Sequence, residues 1–571
     1  MLFFGKTLVL RDTFFEFRFL YDYLKQNVSN GIIPLWNPYS NCGQPFIANP
    51  QVAFFYPFTW FFYLLNFHQA YTFYLFVHLL LAGIFMHAFL KPITGSNWIS
   101  LFGGIIYMLN GLLISRIEFL SEFSAIIWIP AILVLLRINV ISPTWLSSAF
   151  LGLSISIQIF AGHTQVFYYT VLLGFIFVIF LGFLHFVREK KPRLALKSMK
   201  FLAAACILAL LIAMIQLVPT YELFTQSIRS QTAYDPKTSI SSLHPGHTLS
   251  FLYPYIFGWP GYRNYWGSTY EFWAASFYIG VIPFIFFLLA GILFISVKKT
   301  RFETKYPERY YFIFFLASFL IGFVIALGDY TPIFKLLYDY VPGFNKFRWP
   351  SSSLLICTIS LPVMAPLGLK WFLQFTKDRL RTSSLWFAGP LLALLLGSLV
   401  FAFMINTSPN YAEKVVAAVK PTSSEVLQDF RNNVEDISGS SMLSDAQHLS
   451  TLGNAILFNT AFVVFICFLL WIRLIGKIQD GFFIGCVLLC TAIDLIGNGS
   501  MGVHFLDKQV NEKKPQILEA IPVSDKQQRI LARTDAIQQY AYGATDEYTL
   551  FLGIDALTGE VGLAQRLFRT D

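Results

Sequence analysis

Charge is scarce in this chain. Asp, Glu, Lys and Arg make up 13% of its 571 residues, against 56% hydrophobic and 18% aromatic residues, and the mean hydropathy is +0.59. That leaves too little polar surface to coat a soluble core of this size, which excludes an ordinary soluble globular protein. Cysteine is scarce too. Of six, Cys206, Cys357, Cys467, Cys486 and Cys490 fall in apolar runs and only Cys42 in a segment expected outside the membrane, so no external disulfide framework or CxxC metal site is available. HExxH, GxSxG, a Walker loop and GxGxxG are missing from any supporting context. Protease, esterase and nucleotide-cofactor chemistry therefore have no sequence support. The net charge of +9 sits in short loops beside apolar runs, where it sets membrane orientation; nucleic-acid binding is not expected.

What the chain has in quantity is apolar run. Stretches of roughly 17 to 25 residues, the length a helix needs to cross the hydrocarbon core, lie near 70 to 90, 98 to 115, 119 to 136, 145 to 160, 165 to 187, 200 to 220, 270 to 297, 310 to 328, 352 to 375, 383 to 406, 454 to 474 and 480 to 497. They predict an all-α polytopic membrane protein of about 12 transmembrane helices. Two of the runs are short, as tilted or partly re-entrant segments are. The connecting loops alternate in charge. Arg188, Lys190, Lys191, Arg193, Lys197 and Lys200 form one basic group, Lys298, Lys299, Arg301 and Lys305 a second, Lys377, Arg379 and Arg381 a third, and Arg473 with Lys477 a fourth. By the positive-inside rule all four are cytoplasmic. The same phase puts residues 1 to 69 outside with no signal peptide or span ahead of them, so a further helix preceding this chain is expected.

Three regions follow. Residues 1–69 form a first external loop whose Pro, Trp and Tyr favour short interfacial helices. Residues 70–497 form the transmembrane helical domain, with external loops 221–269 and 407–453, the second polar enough for a flap or partly disordered loop. Residues 498–571 turn soluble in composition, with strand-like alternation at 529–533, and stop before a domain is complete.

Ionisable groups at span ends mark functional sites in membrane proteins. On the external side the phase gathers Asp12, Glu16, Arg116, Glu118, His163, Gln165, Glu222, Arg229, His244, His247, Glu271, Asp329 and Arg348, enough for one shared cavity. Each also has a plainer account. Asp12, beside Arg11, fits a surface ion pair or helix cap. Arg116 and Glu118 fit a turn-stabilising ion pair. His163, in Gly162-His163-Thr164-Gln165, fits a cap. Glu222 and Arg229 are seven residues apart and would share a helix face, and Arg348 fits snorkelling to the headgroups. His78 and His87 lie within a span and suit interhelical hydrogen bonds.

At these residues the chain resembles a family. Gly31-Ile32-Ile33-Pro34-Leu35-Trp36-Asn37-Pro38-Tyr39, then Gly43-Gln44-Pro45-Phe46 and Asn49-Pro50-Gln51, are similar to the first external loop of bacterial YfhO-like membrane proteins. Gly162-His163-Thr164-Gln165, Gln216-Leu217-Val218-Pro219-Thr220-Tyr221-Glu222 with Ser227-Ile228-Arg229, and Phe347-Arg348-Trp349-Pro350 continue the resemblance in order. Members of that family usually have a preceding helix and a longer C-terminal soluble domain, so the resemblance makes this chain look truncated at both ends.

The resemblance implies a GT-C-like fold, a place in the bacterial cytoplasmic membrane with the active site facing outside, and transfer of a sugar from a polyprenyl-phosphate donor to a cell-envelope acceptor. In that class an acid of the first external loop acts as base or metal-associated carboxylate. Asp12 matches that position, with Glu118 as a second catalytic candidate and a divalent cation left open. Arg116, Arg229 and Arg348 would hold the donor phosphate, since guanidinium forks match its oxygens. Asn37, Gln44, His163, Gln165 and Glu222 would contact sugar or acceptor. The alternatives are a transporter or flippase of lipid-linked sugars, against which stands the lack of a convincing internal repeat, and an inactive scaffold.

Overall fold

A computed structural model describes residues 6–8, 13–39, 43–189, 192–227, 241–257, 272–296, 308–347, 349–378, 396–397, 399–400, 403–404, 445–501 and 505–507. The helices are α1 (Arg18–Ser29), α2 (Trp60–Leu64), α3 (Phe67–Thr94), α4 (Asn97–Leu109), α5 (Gly111–Ser115), α6 (Leu120–Ile141), α7 (Trp145–Phe160) and α8 (Thr164–Glu189). They continue with α9 (Pro192–Gln226), α10 (Val281–Ser296), α11 (Glu308–Ala326), α12 (Pro332–Tyr340), α13 (Leu354–Asp378), α14 (Asp445–Leu474) and α15 (Asp480–Met501). Among the described residues nine helices are long and apolar enough to cross a membrane, and α7 and the Val281–Phe294 part of α10 are shorter apolar helices. The expected run at 383–406 lies mostly outside the described residues.

Local chemistry sets the helix ends. Asn66 caps α3 by accepting from Gln69 N at 2.9 Å, and Gly95, at φ +72°, closes its other end in the left-handed region. Thr144 and Ser147 form a reciprocal capping box at the start of α7. The expected span at 98–115 stands as Asn97–Ser115, with a break at Asn110 that divides it into α4 and α5. One expected span is corrected: of the run at 270–297 only α10 is an α-helix, with 272–275 in a 3-10 turn and 276–280 irregular.

The centre of the bundle is α13, buried along almost its whole length and packed against α4, α10 and α11. Close backbone approach makes this fit possible. A Cβ on Gly368 would stand 1.9 Å from Phe286 O, and one on Gly103 would stand 2.7 Å from Pro362 O. The first loop is tied in by a polar chain. Trp128 Nε1 donates to Tyr56 Oη at 3.0 Å, and Tyr56 Oη lies 2.7 Å from His78 Nε2. His78 Nδ1 faces Tyr74 O at 2.6 Å and must donate to it, because a carbonyl only accepts. His78 thus joins α3 to the first loop and, through Tyr56, to α6.

Strand β1 (Lys6–Leu8) pairs antiparallel with β4 (Phe505–Asp507), and β2 (Trp36–Asn37) with β3 (Gln44–Pro45). The bundle has two chemically distinct ends. At one end Arg137 Nε donates to Tyr311 Oη at 3.0 Å, buried Lys370 pairs with Glu308, and Arg473 pairs with Asp480. Lys91, Lys197, Lys200 and Lys477 also belong to that end, by the direction in which their helices run. The other end carries the starts of α3, α6, α8, α10 and α13 and the ends of α5, α7, α9, α11 and α15.

Gly368→Val should lower the apparent Tm of the detergent-solubilised protein through overpacking worth about 1–3 kcal/mol. Gly182→Val, where an added Cβ meets nothing within 4 Å, should leave it unchanged; equal losses would dismiss the close α10–α13 contact as a constraint.

Candidate functional site

The site arises where helices stop inside the bundle. Asn110 leaves α4 in an extended conformation, its Oδ1 accepts from Leu113 N at 2.9 Å and its Nδ2 donates to Tyr107 O at 2.5 Å. It therefore serves backbone groups on both sides of the break. Gly111 N donates across to Tyr278 O at 2.6 Å, which docks the irregular stretch before α10. The single turn of α5 then delivers Arg116, and the chain turns back, with Phe119 N donating to Arg116 O at 2.9 Å, so that Glu122 falls in the first turn of α6.

Arg116 is fully buried. Its Nε donates to Glu122 Oε1 at 2.8 Å, its Nη1 to Trp273 O and weakly to Ser115 Oγ at 3.4 Å, and its guanidinium carbon lies 4.4 Å from the Trp273 ring centre. Its Nη2 makes no hydrogen bond among the described residues. Glu122 Oε2 lies 3.9 Å from His163 Nε2, while His163 Nδ1 accepts from Val166 N at 3.2 Å. That acceptance places the neutral ring's proton on Nε2, facing the carboxylate. Burial lowers the His163 pKa from its ordinary value near 6.5; Glu122 opposes the shift and Arg116 adds to it.

The surrounding wall is aromatic. Trp273 packs against Trp349 at 5.1 Å and Phe119 at 5.0 Å between ring centres, and its buried Nε1 has no hydrogen-bond partner among the described residues. Gln165 Nε2 donates to Trp349 O at 3.1 Å. Gly162, at φ +89°, has no room for a side chain, because a Cβ would stand 1.9 Å from Pro50 O. The first loop is thereby held against the His163 turn.

The sequence-derived candidates divide accordingly. Arg116, His163 and Gln165 come together, and the residue that joins the first two is Glu122, which the sequence analysis passed over. Its signal was available: it is an acid inside an otherwise apolar run, where a carboxylate needs a partner. Glu118 is half-buried two residues after Arg116, and its carbonyl accepts from Thr13 Oγ1 at 3.2 Å. Asp12, Arg229 and Arg348 lie outside the described residues. Their chain neighbours are placed: Thr13 as just given, Ser227 just past the end of α9, and Trp349 against Trp273.

Asn37 is fully buried, with Oδ1 accepting from Tyr39 N at 3.0 Å to close its own turn, and half-buried Gln44 sits opposite it in β3. Glu222 is exposed near the end of α9, and that helix ends at Gln226, short of the Arg229 that was expected on the same face. Among the described residues no three His, Cys, Asp or Glu side chains gather as a metal site.

No family model matches the chain. No curated protein matches it. Among solved structures it is similar to ArnT from Cupriavidus metallidurans bound to undecaprenyl phosphate, at 10% identity and TM-score 0.46, over 96% of this chain and 84% of that one. It is also similar to the arabinofuranosyltransferase AftD from Mycobacteria, at 13% identity and TM-score 0.37, over 64% of this chain and 23% of that one. The chain thus spans under a quarter of AftD's length.

Two outcomes follow from the cluster. Arg116→Met strands a largely buried carboxylate and should cost about 3–5 kcal/mol of stability, while Arg116→Met with Glu122→Leu should recover most of it; equal losses in thermal unfolding of the two variants would discount the pair. Because the unfolded chain protonates His163 more readily, this residue's contribution is complete above about pH 6.5 and is lost as pH falls through that value. Native protein should therefore lose Tm relative to His163→Gln between about pH 7.5 and pH 5.5.

Proposed function

We propose that the chain is a membrane glycosyltransferase that moves a sugar from a polyprenyl-phosphate donor to a hydroxyl of an extracytoplasmic acceptor such as a cell-envelope glycan or teichoic acid. The observation that carries this reading is the buried Glu122–Arg116 pair with His163, set under Trp273 and Trp349 at the end of the bundle away from Arg137, Lys370 and Arg473. A lipid-linked donor needs such a place, since its tail stays in the bilayer and its phosphate and sugar emerge at the rim. By the positive-inside rule this end faces outward.

In the reaction the acceptor hydroxyl oxygen bonds to the anomeric carbon of the sugar, its proton passes to a carboxylate, and the bond from that carbon to the donor phosphate breaks. Polyprenyl phosphate leaves with the bonding electrons. Neither His163 nitrogen suits the base role, because one already accepts a backbone N–H and the other faces Glu122. Glu122 is compensated by Arg116. Asp12 is therefore the proposed base, its neighbour Thr13 being bonded to the Glu118 carbonyl, with Glu118 as the second carboxylate at hand.

Arg348 and Arg229 would meet the phosphate, joined by the open Nη2 of Arg116, and would stabilise the charge that develops as it leaves. The indole N–H of Trp273 is a further donor awaiting an acceptor. Gln165, Gln44, Asn37 and Glu222 are the proposed sugar or acceptor contacts, with His163 turning toward the sugar once donor binding loosens its approach to Glu122.

Purified protein given labelled polyprenyl-phosphate sugars should pass label to water-soluble or glycolipid acceptors. Asp12→Asn should lower the rate by roughly 10²- to 10⁴-fold while donor binding persists. Undiminished turnover would move the base role to Glu118, tested by Glu118→Gln. Cysteines introduced at 12 and 348 should both label from the non-cytosolic side; opposite leaflets would end the proposal.

A further inference from the structure

Beside the arginine cluster lies a separate cleft enclosing ≈ 500 Å³, counting its open mouth, between the end of α5, the 250–255 turn, the 272–278 stretch and the end of α15. Among the described residues its lining contains no Lys, Arg, His, Asp or Glu. Apolar groups predominate, among them Leu109, Ile114, Phe272 and Leu495, with hydroxyls and an amide set between them.

Two of the polar lining residues have hydrogen-bonding capacity left over. Asn498, 3% exposed, spends its Nδ2 on Asp494 Oδ1 at 2.9 Å and Asn459 Oδ1 at 3.0 Å, while its Oδ1 accepts no hydrogen bond among the described residues. Ser250, also 3% exposed, makes no side-chain hydrogen bond among the described residues. Buried polar atoms are ordinarily paired, so oxygens left open on an apolar cleft are suited to a ligand's hydroxyls. A phosphate would find no cation among the described residues of this lining and would face the carboxylate of Asp494, held behind the wall by Tyr278 Oη at 2.5 Å and Val281 N at 2.8 Å.

We infer that this cleft binds the uncharged, hydroxyl-rich end of an amphiphilic ligand, such as a sugar or glycerol unit, and presents the acceptor to the donor site. Its acceptor role rests on the transferase reading. Ser115 connects the two, lining the cleft and accepting from Arg116 Nη1.

The test uses the full chain in lipid nanodiscs and an octyl glucoside bearing a photoreactive diazirine. Labelling is expected to saturate, to fall within 250–255, 272–278 and 495–499, and to be competed by plain octyl glucoside but not by dodecyl phosphate. Ser250→Leu, which fills the cleft without breaking a bond, should reduce labelling on the order of tenfold, and Ser250→Ala by a few-fold. Labelling that does not saturate, that ignores Ser250→Leu, or that dodecyl phosphate competes equally would overturn the inference. Polyprenyl-phosphate binding, measured separately, should be unchanged in Ser250→Leu; its absence from native protein that still labels would overturn the acceptor role and count against the transferase reading itself.

Discussion

A helix that ends inside a bundle leaves backbone N–H and C=O groups with no water to satisfy them, and one end of this bundle is built around meeting that demand. Asn110 serves both sides of the break between α4 and α5. Asp494 and Tyr278 serve the start of α10 at Val281. Arg116 serves Trp273 O from the end of α5. Polar side chains that would otherwise be costly in such surroundings therefore have structural work before any ligand arrives, and they concentrate where the helices are broken.

The same requirement explains why charge is found there. A buried arginine is tolerable only beside a counter-charge, and Glu122 supplies one at 2.8 Å. The pair fixes the turn between α5 and α6 relative to the aromatic wall of Trp273 and Trp349, and His163 joins from the α7–α8 turn. Arg116 retains one unspent nitrogen and Trp273 one unspent N–H, so the cluster is structurally complete but chemically open on one side. The neighbouring cleft differs from it in having no charged side chain among the described residues of its lining.

The opposite end meets its polar demands differently. Lys370 and Glu308 are buried together with Trp371 Nε1 donating to Glu308 Oε1 at 3.0 Å, and Arg137 bonds Tyr311, so those contacts bind α6, α11 and α13.

The sequence by itself determined the helical, membrane-spanning class and the positions of most spans, because hydropathy is a property of neighbouring residues. It also brought His163, Gln165 and Arg116 to one rim. Tertiary structure alone decided that Glu122 is the partner of Arg116, that residues 276–280 stay irregular within an apolar run that reads as helix, and that Asn37 closes its own turn. Those outcomes depend on contacts between segments distant in sequence, such as the bond from Arg116 to a carbonyl 157 residues away, and on Asp494 capping a helix that begins 213 residues before it. No local periodicity carries that information, since it exists only once the helices have packed and the unmet backbone groups have found their partners.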